Sequence, residues 1–283
     1  MTGTAITVAP TGAETPLEAA PGLPGTLNDL LATATACAGA GASVIHVHVR
    51  DDAGRPTLDL GRLTETVMAL REATDLVVQL STGGDVADSE ADRLRVVEAG
   101  PDAASCTMGT LNFGEGVFLN RWPFIVELHA RLRDAGVVPE YECFDLGHIN
   151  ALHRLLDRHG PPYGGHVHVD LGMGVPGGMP GTPAALVAAV QALPAGCTWS
   201  ATGVGGATLP IALTALAAGG HLRVGMEDTL TFAPGQPVRD NTSLVERAAQ
   251  LATLASRPPL TPAAARELLG IPARRASTAI SAP

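Results

Sequence analysis

Two histidines and an arginine occupy alternate positions in Ser43-Val-Ile-His-Val-His-Val-Arg50. Side chains alternate faces in an extended strand, so His46, His48 and Arg50 share one face while Ile45, Val47 and Val49 share the other. Histidines spaced i, i+2 have Cβ atoms roughly 7 Å apart, from about 3.3 Å of rise per residue, within reach of one zinc ion bonded at about 2.0–2.1 Å. The competing reading is a pair of core histidines satisfied by hydrogen bonds. Arg50-Asp51-Asp52 at the end of the same strand favours chemistry, because burying so much polarity without purpose costs several kcal/mol.

A catalytic zinc usually has three protein ligands and one open position. In Arg223-Val-Gly-Met-Glu-Asp228, Glu227 is the best-placed third ligand if an eighth strand lies beside the first and near the second. Otherwise Glu227 and Asp228 would cap the next helix or sit in solvent. His166 and His168 form a second His-x-His, and Asp170 would make it a His-His-Asp set. On residue type alone the two pairs rival each other. Cys143 lies between Glu142 and Asp145, but a strand cysteine pointing opposite Glu142 reads as a small packed core residue and not a nucleophile. Ser81-Thr-Gly-Gly84 and Gly203-Val-Gly-Gly206 precede helices, where backbone N–H groups can hold a phosphate or carboxylate. Neither matches a Rossmann or P-loop fingerprint.

The elements that must position these groups alternate strictly. Strands are predicted at 5–9, 43–50, 76–80, 103–107, 139–144, 166–170, 198–202 and 220–225. Helices are predicted near 26–39, 60–73, 89–99, 123–135, 149–159, 182–193, 209–218 and 243–256. A Pro-rich loop spans 16–24 and a Gly/Pro loop spans 171–181. Eight strand–helix units in alternation predict an α/β fold made of a single (β/α)8 TIM barrel over residues 1–272. A doubly wound open sheet is the runner-up. The barrel is favoured because polar residues and glycines gather after nearly every strand, where barrel active sites are built. Residues 261–269 predict one extra helix, and 273–283 a flexible Ala/Ser/Pro tail.

At 283 residues and 46% hydrophobic, the chain can fill one large core. A net charge of −10 argues against nucleic acid or an anionic membrane as partner. The sequence opens without a basic segment and apolar stretch, and no run reaches the length of a membrane span, so a soluble cytoplasmic protein is expected. Cys37, Cys106, Cys143 and Cys197 are dispersed and read as reduced thiols. All 18 basic residues are arginines. Schiff-base and pyridoxal-phosphate chemistry both need a lysine amine and are excluded. A carbanion or enolate made here needs a metal or fixed dipoles as its electron sink.

Several stretches together carry a resemblance. They are Gly12-Ala-Glu14, His46-Val-His-Val-Arg-Asp51, Gln79-Leu-Ser-Thr-Gly-Gly84, Gly109-Thr-Leu-Asn-Phe-Gly114, Glu142-Cys-Phe-Asp145, Leu171-Gly-Met-Gly-Val-Pro-Gly-Gly178, Trp199-Ser-Ala-Thr-Gly-Val-Gly205 and Gly220-His-Leu-Arg-Val-Gly-Met-Glu-Asp228. In that order, from about residue 5 to 270, the chain resembles the beta-keto acid cleavage enzyme family.

The resemblance implies a zinc-dependent barrel enzyme that exchanges a 3-oxo carboxylate and acetyl-CoA for acetoacetate and a new CoA ester. By the family pattern His46, His48 and Glu227 are the metal ligands, which favours the first His-x-His. Asp228 is the base and Arg223 orients the carboxylate or stabilises charge, a task suited to a bidentate guanidinium. Ser81, Glu142 and Glu14 match positions that contact substrate or assist proton transfer. Ser105, Thr82, Gly83, Thr110, His166 and His168 complete the expected substrate contacts, with Ser105 keeping a hydroxyl where family members carry threonine. Glu14 points to a cationic or hydroxyl-bearing substrate tail. Family analogy further suggests a homotetramer. The alternative is a metal-dependent aldolase or hydrolase acting on a keto acid without acetyl-CoA.

Overall fold

Short runs of β-branched and small residues form eight parallel strands in a computed structural model that describes residues 3–85 and 88–273. They are β1 Ile6–Val8, β2 Val44–Val47, β3 Val77–Leu80, β4 Ala103–Thr107, β5 Val138–Cys143, β6 His168–Met173, β7 Thr198–Gly203 and β8 His221–Val224. Each pairs with its sequence neighbours, and β8 returns to β1 with Thr7 opposite Arg223, so the sheet closes as a barrel. The expected (β/α)8 TIM barrel is the observed fold. The predicted tail from 274 onward lies outside the described residues.

Helices separate the strands: α1 Leu27–Ala40, α2 Leu60–Ala73, α3 Glu90–Arg95, α4 Trp122–Ala135, α5 Leu146–His159, α6 Pro183–Gln191, α7 Thr208–Ala217 and α8 Asn241–Leu254. Their starts are written locally. Thr26 accepts from the Asp29 N–H while the Asp29 carboxylate accepts from Thr26, a reciprocal cap that satisfies two otherwise orphan donors. Asp59, Ser89, Asp145, Thr182 and Asp240 each accept a backbone N–H at the start of their helices.

Two layers of core follow from strand alternation. Ile45, Val47, Val78, Leu80, Tyr141, Cys143, Val169 and Leu171 face outward and are buried beneath the helices. Ala5, Val44, Val77, Ala103 and Val138 face inward at the N-terminal end of the barrel. Ala265 of α9 (Pro262–Leu268), with Leu269 and Ile271, packs on them and closes that end. Arg266 of α9 reaches Asp102 at 2.6 Å, and Arg71 reaches the same carboxylate at 2.8 Å.

Three local outcomes differ from the sequence reading. β2 ends at Val47, so His48 and Arg50 stand in the following loop, where Arg50 bridges to Pro56. β6 starts at His168 and runs to Met173, which places His166 ahead of the strand. Leu171 and Met173 are fully buried, so the chain stays in the sheet where a loop was expected to begin. Two hairpins were not anticipated, Leu111–Phe113 with Gly116–Phe118 and Thr231–Ala233 with Gln236–Pro237. Among the described residues no helix is long and apolar enough to cross a membrane.

Candidate active site

The inward side chains above the apolar floor are polar. His46, Gln79, Ser105, Thr107, Glu140, Glu142, His168, Asp170, Ser200, Thr202 and Arg223 are all buried. Those nearest the C-terminal ends of the strands line a cavity of about 210 Å³ together with the loops that follow. Burial on this scale demands partners, and each group has a specific one.

Arg223 is the hub. Its Nη1 lies 3.4 Å from Glu142 Oε1, its Nη2 donates to Glu227 Oε1 and stands 3.2 Å from Asp228 Oδ1, and its Nε lies 3.4 Å from Asp228 Oδ2. The other Glu142 oxygen accepts from Thr107 Oγ1 at 2.7 Å. Asp170 accepts from Ser200 Oγ at 2.6 Å and Thr202 Oγ1 at 2.7 Å.

Two glycines bring Glu227 and Asp228 in. A Cβ on Gly225 would stand 1.9 Å from the Ala9 carbonyl oxygen, so only glycine lets β8 turn against β1 at this point. Ala9 O then accepts from Glu227 N at 3.2 Å. A Cβ on Gly12 would stand 2.8 Å from Glu227 Cγ, so the loop after β1 packs directly on this side chain. Arg50 fixes that loop: its Nη2 donates to Gly12 O at 2.7 Å and Thr15 O at 2.9 Å, and its Nη1 to Gly54 O at 2.6 Å. Asp51 holds its own turn by accepting from Ala53 N and Arg55 N at 2.9 and 3.0 Å. Both residues therefore support the rim.

The carboxylates differ because their surroundings differ. Burial pushes Glu142 up to about 7 against the opposing pull of Arg223. Burial likewise pushes Asp228 up to about 7, with Arg223 opposing and Glu227 adding to the rise. Glu227 is also penalised by burial, but Arg223 and the imidazoles of His48 and His46 outweigh that and hold its carboxyl well below the usual range. Burial, reinforced by Arg223, pulls His46 down to about 4 and keeps it neutral.

These residues fit a metal ion. One ligand atom each from His46, His48 and Glu227 lie within 4.8 Å of one another. His46 Nδ1 is 2.5 Å from Gln79 Oε1; an amide oxygen can only accept, so the proton sits on Nδ1 and the Nε2 lone pair is free. Among the described residues Glu227 Oε2 is buried with no hydrogen-bond partner, a costly state for a carboxylate oxygen that a cation would relieve. His46, Glu140 and Glu142 satisfy the same distance test. Glu140 Oε1 is likewise buried without a hydrogen-bond partner among the described residues, but Glu142 is already engaged at both oxygens and Glu140 Oε2 is 3.5 Å from His168 Nε2.

Of the residues picked out in the sequence, Glu14, His46, His48, Ser81, Gly83, Glu142, Arg223, Glu227 and Asp228 line one cavity. Six others are placed elsewhere. His168 is buried inside the barrel against Glu140, with Nδ1 2.8 Å from Thr198 Oγ1. His166, half-buried before β6, lies 2.7 Å from the same hydroxyl. Thr82 donates to Ser105 O at 2.9 Å while Ser105 Oγ accepts from Thr82 N at 3.0 Å, a clasp that sets the loop carrying Ser81 and Gly83. Thr110 accepts from Asn120 N at 2.8 Å at the base of the first hairpin. Cys143 faces the helix layer, with its thiol raised well above the usual range by burial.

The cavity also contains groups that sequence reasoning did not assign. Asp170, named there only as a possible partner of His166 and His168 in a metal set, instead lines the cavity with both oxygens held by hydroxyls. Phe113, Phe118 and Phe144 line it from the first hairpin and the end of β5, without a readable spacing signal.

A (β/α)8 barrel with a buried guanidinium–carboxylate hub beside a His-His-Glu trio at its C-terminal mouth has the arrangement of a barrel enzyme. A model of the family described as beta-keto acid cleavage enzyme matches residues 4–271. The chain is 38% identical over 272 residues to the 3-keto-5-aminohexanoate cleavage enzyme of Acetoanaerobium sticklandii, covering 94% of this chain and 97% of that protein. It is 30% identical over 271 residues to the 3-oxoadipate:acetyl-CoA acetyltransferase of Cupriavidus necator, covering 94% of each. The chain belongs to the beta-keto acid cleavage enzyme family and is an enzyme of the acyltransferase type that cleaves carbon–carbon bonds. In fold it is similar to the apo structure of ObcA, with a TM-score of 0.75 at 21% identity over 89% of this chain and 66% of that one.

Proposed function

We propose that the protein converts a 3-oxo carboxylate and acetyl-CoA into acetoacetate and the acyl-CoA of the remaining fragment. The observation that carries this reading is the contact between Arg223 and Asp228, directly beside a metal-competent His46–His48–Glu227 trio. Relatives named for cleavage of such acids and for acetyl-CoA transfer support it.

A zinc ion held by His46, His48 and Glu227 would supply the Lewis-acid charge that makes the protons at C2 of a 3-oxo acid acidic. Arg223 orients the substrate carboxylate, since its guanidinium faces the cavity. Asp228 accepts the C2 proton, and the carbon so exposed attacks the acetyl carbonyl of acetyl-CoA. The CoA thiolate leaves and adds to the original C3 carbonyl. The C2–C3 bond then breaks, which leaves the acyl group on CoA, and Asp228 returns the proton to C2 of acetoacetate. The exchange consumes no net proton. Glu142, hydrogen-bonded to Thr107 and facing Arg223, keeps the guanidinium aimed and holds a proton near the thiolate's path. Ser81 and Gly83 form the facing wall.

By the same reading the ion is zinc and the enzyme is a cytoplasmic homotetramer. The experiment is a screen of 3-oxo acids with and without acetyl-CoA, with acetoacetate as the readout. Acetoacetate formed only when acetyl-CoA is present supports the reading. Turnover of the acid that is indifferent to acetyl-CoA would replace it with a metal-dependent aldolase or hydrolase.

A further inference from the structure

Above its charged floor the cavity has an aromatic wall. Phe113 and Phe118 come from the hairpin after β4 and Phe144 from the end of β5, three of the five phenylalanines in the chain. Phe113 meets both others edge to face, with centroids 6.4 Å apart in each pair and interplanar angles of 72° and 83°. Val175, Pro176 and Val204 extend the wall.

The wall is preformed. A Cβ on Gly83 would stand 2.8 Å from Phe118 Cζ, and one on Gly172 would stand 2.4 Å from Phe144 Cε1, so both rings are seated against backbone. The Arg93 guanidinium lies 4.6 Å from the Phe118 centroid and is itself held by Thr82 O at 2.9 Å and Leu119 O at 2.7 Å. Rings fixed this way present a set shape and contribute to selectivity by excluding water from whatever lies against them.

Charge narrows what that can be. Among the described residues Arg223 is the one arginine lining the cavity, and three carboxylates already engage it. A second carboxylate at the far end of a substrate would meet no cation among the described lining residues. Glu14 is the carboxylate of the rim loop, and it is exposed. An ion pair in that setting contributes little, since exposed pairs are screened by water and salt. At the rim the cationic tail suggested by Glu14 thus lacks a desolvated partner, and the buried carboxylates of the floor are already engaged, Asp170 by Ser200 and Thr202 and the others by Arg223.

We infer that the Phe113–Phe118–Phe144 wall receives the tail of the 3-oxo acid and selects one that is uncharged and apolar. The inference rests on the proposed beta-keto acid cleavage activity. Phe118 and Phe144 are specificity-determining residues in this view. Each added methylene placed on the wall raises kcat/KM about fourfold until the space is filled, the equivalent of about 0.8 kcal/mol per buried CH2.

The test compares kcat/KM at saturating acetyl-CoA for three acids of equal chain length: 3-oxohexanoate, 3-oxoadipate and 3-oxo-5-aminohexanoate. Preference for 3-oxohexanoate by tenfold or more is expected. Phe118→Ala and Phe144→Ala should shrink that ratio by tenfold or more, while Phe118→Leu, which keeps an apolar side chain and guards against misfolding, should shrink it only a few-fold. Acetoacetate formed fastest from the amino or dicarboxylic acid overturns the tail assignment and leaves the activity standing. A rise in KM for acetyl-CoA that is the same with every acid overturns it too, because the wall would then hold the pantetheine arm. Acetoacetate from none of the acids overturns the activity and this assignment together.

Discussion

Arg223 and Glu142 are 81 positions apart in sequence, and their side chains meet at 3.4 Å across the mouth of the barrel. The same guanidinium touches Glu227 and Asp228, so three carboxylates share one compensating charge. Arg223→Ala leaves them facing one another in a buried space. Removing one partner of a buried ion pair costs about 3–5 kcal/mol. A melting temperature lower by about 10 °C is expected in calorimetry, and kcat/KM should fall at least a thousandfold. A folded variant of unchanged stability would show that water reaches these carboxylates.

Asp228 and the metal trio separate by their readouts. Asp228→Asn keeps the shape of the side chain and removes its basicity. A loss of about 10²–10⁴ in kcat is expected, with bound zinc unchanged by atomic emission. His46→Ala and His48→Ala should lose the metal, whereas His166→Ala should keep it, because His166 lies outside the cavity and is hydrogen-bonded to Thr198. Metal lost only from the His166 variant would move the site to the second His-x-His.

Gly12 offers a gentler perturbation. Its missing Cβ is the space into which Glu227 packs, with 2.8 Å to Cγ. Gly12→Ala should push that carboxylate aside and weaken zinc affinity about 10–100-fold, the range found for disturbed ligand supports. Competition with a chelator measures it, and the circular dichroism spectrum should not change.

Asp102 governs an acid transition remote from the mouth. Burial raises its pKa, but Arg266, the Val78 N–H and Arg71 outweigh that and hold it below the ordinary 3.8. A depressed carboxylate contributes stability above its unfolded pKa, and that contribution is lost as pH falls through the folded value. Asp102→Asn should cost about 3 kcal/mol at pH 7 and lower the melting temperature by roughly 6–12 °C. The gap between the two proteins should narrow steadily below about pH 4. A gap that stays constant down to pH 3 would mean that Asp102 acts through shape and not charge.

The barrel was legible because its pattern is local: apolar strands and capped helices alternate at short range, and chain order alone makes the strand ends neighbours. His46, His48 and Glu227 were legible as a candidate set by residue type and position relative to those ends, but only the family resemblance set them ahead of His166 and His168. Thr82 and Ser105 were read as substrate contacts, and the structure shows them hydrogen-bonded to each other as a clasp, which sequence could not foresee because a hydroxyl near a strand end can face the cavity or the chain, and only packing decides. His168 was hidden differently. Its strand begins two residues later than its composition suggested, which sinks the imidazole below the cavity. The phenylalanine wall rests on a hairpin whose strands are three residues each, too short to carry a period.

The seam between β1 and β8 has a consequence for how the molecule is made. Thr4 donates to Pro258 O and accepts from Leu260 N, each at 2.9 Å, and β1 pairs with a strand more than 200 residues downstream. During synthesis at about 5–20 residues per second, one edge of β1 waits roughly 10–50 s for its neighbour. Until then it is an open strand edge carrying Ile6 and Val8, the kind of surface that recruits other chains. Yield at high expression temperature should therefore depend on chaperone supply more steeply than the stability of the finished barrel would suggest.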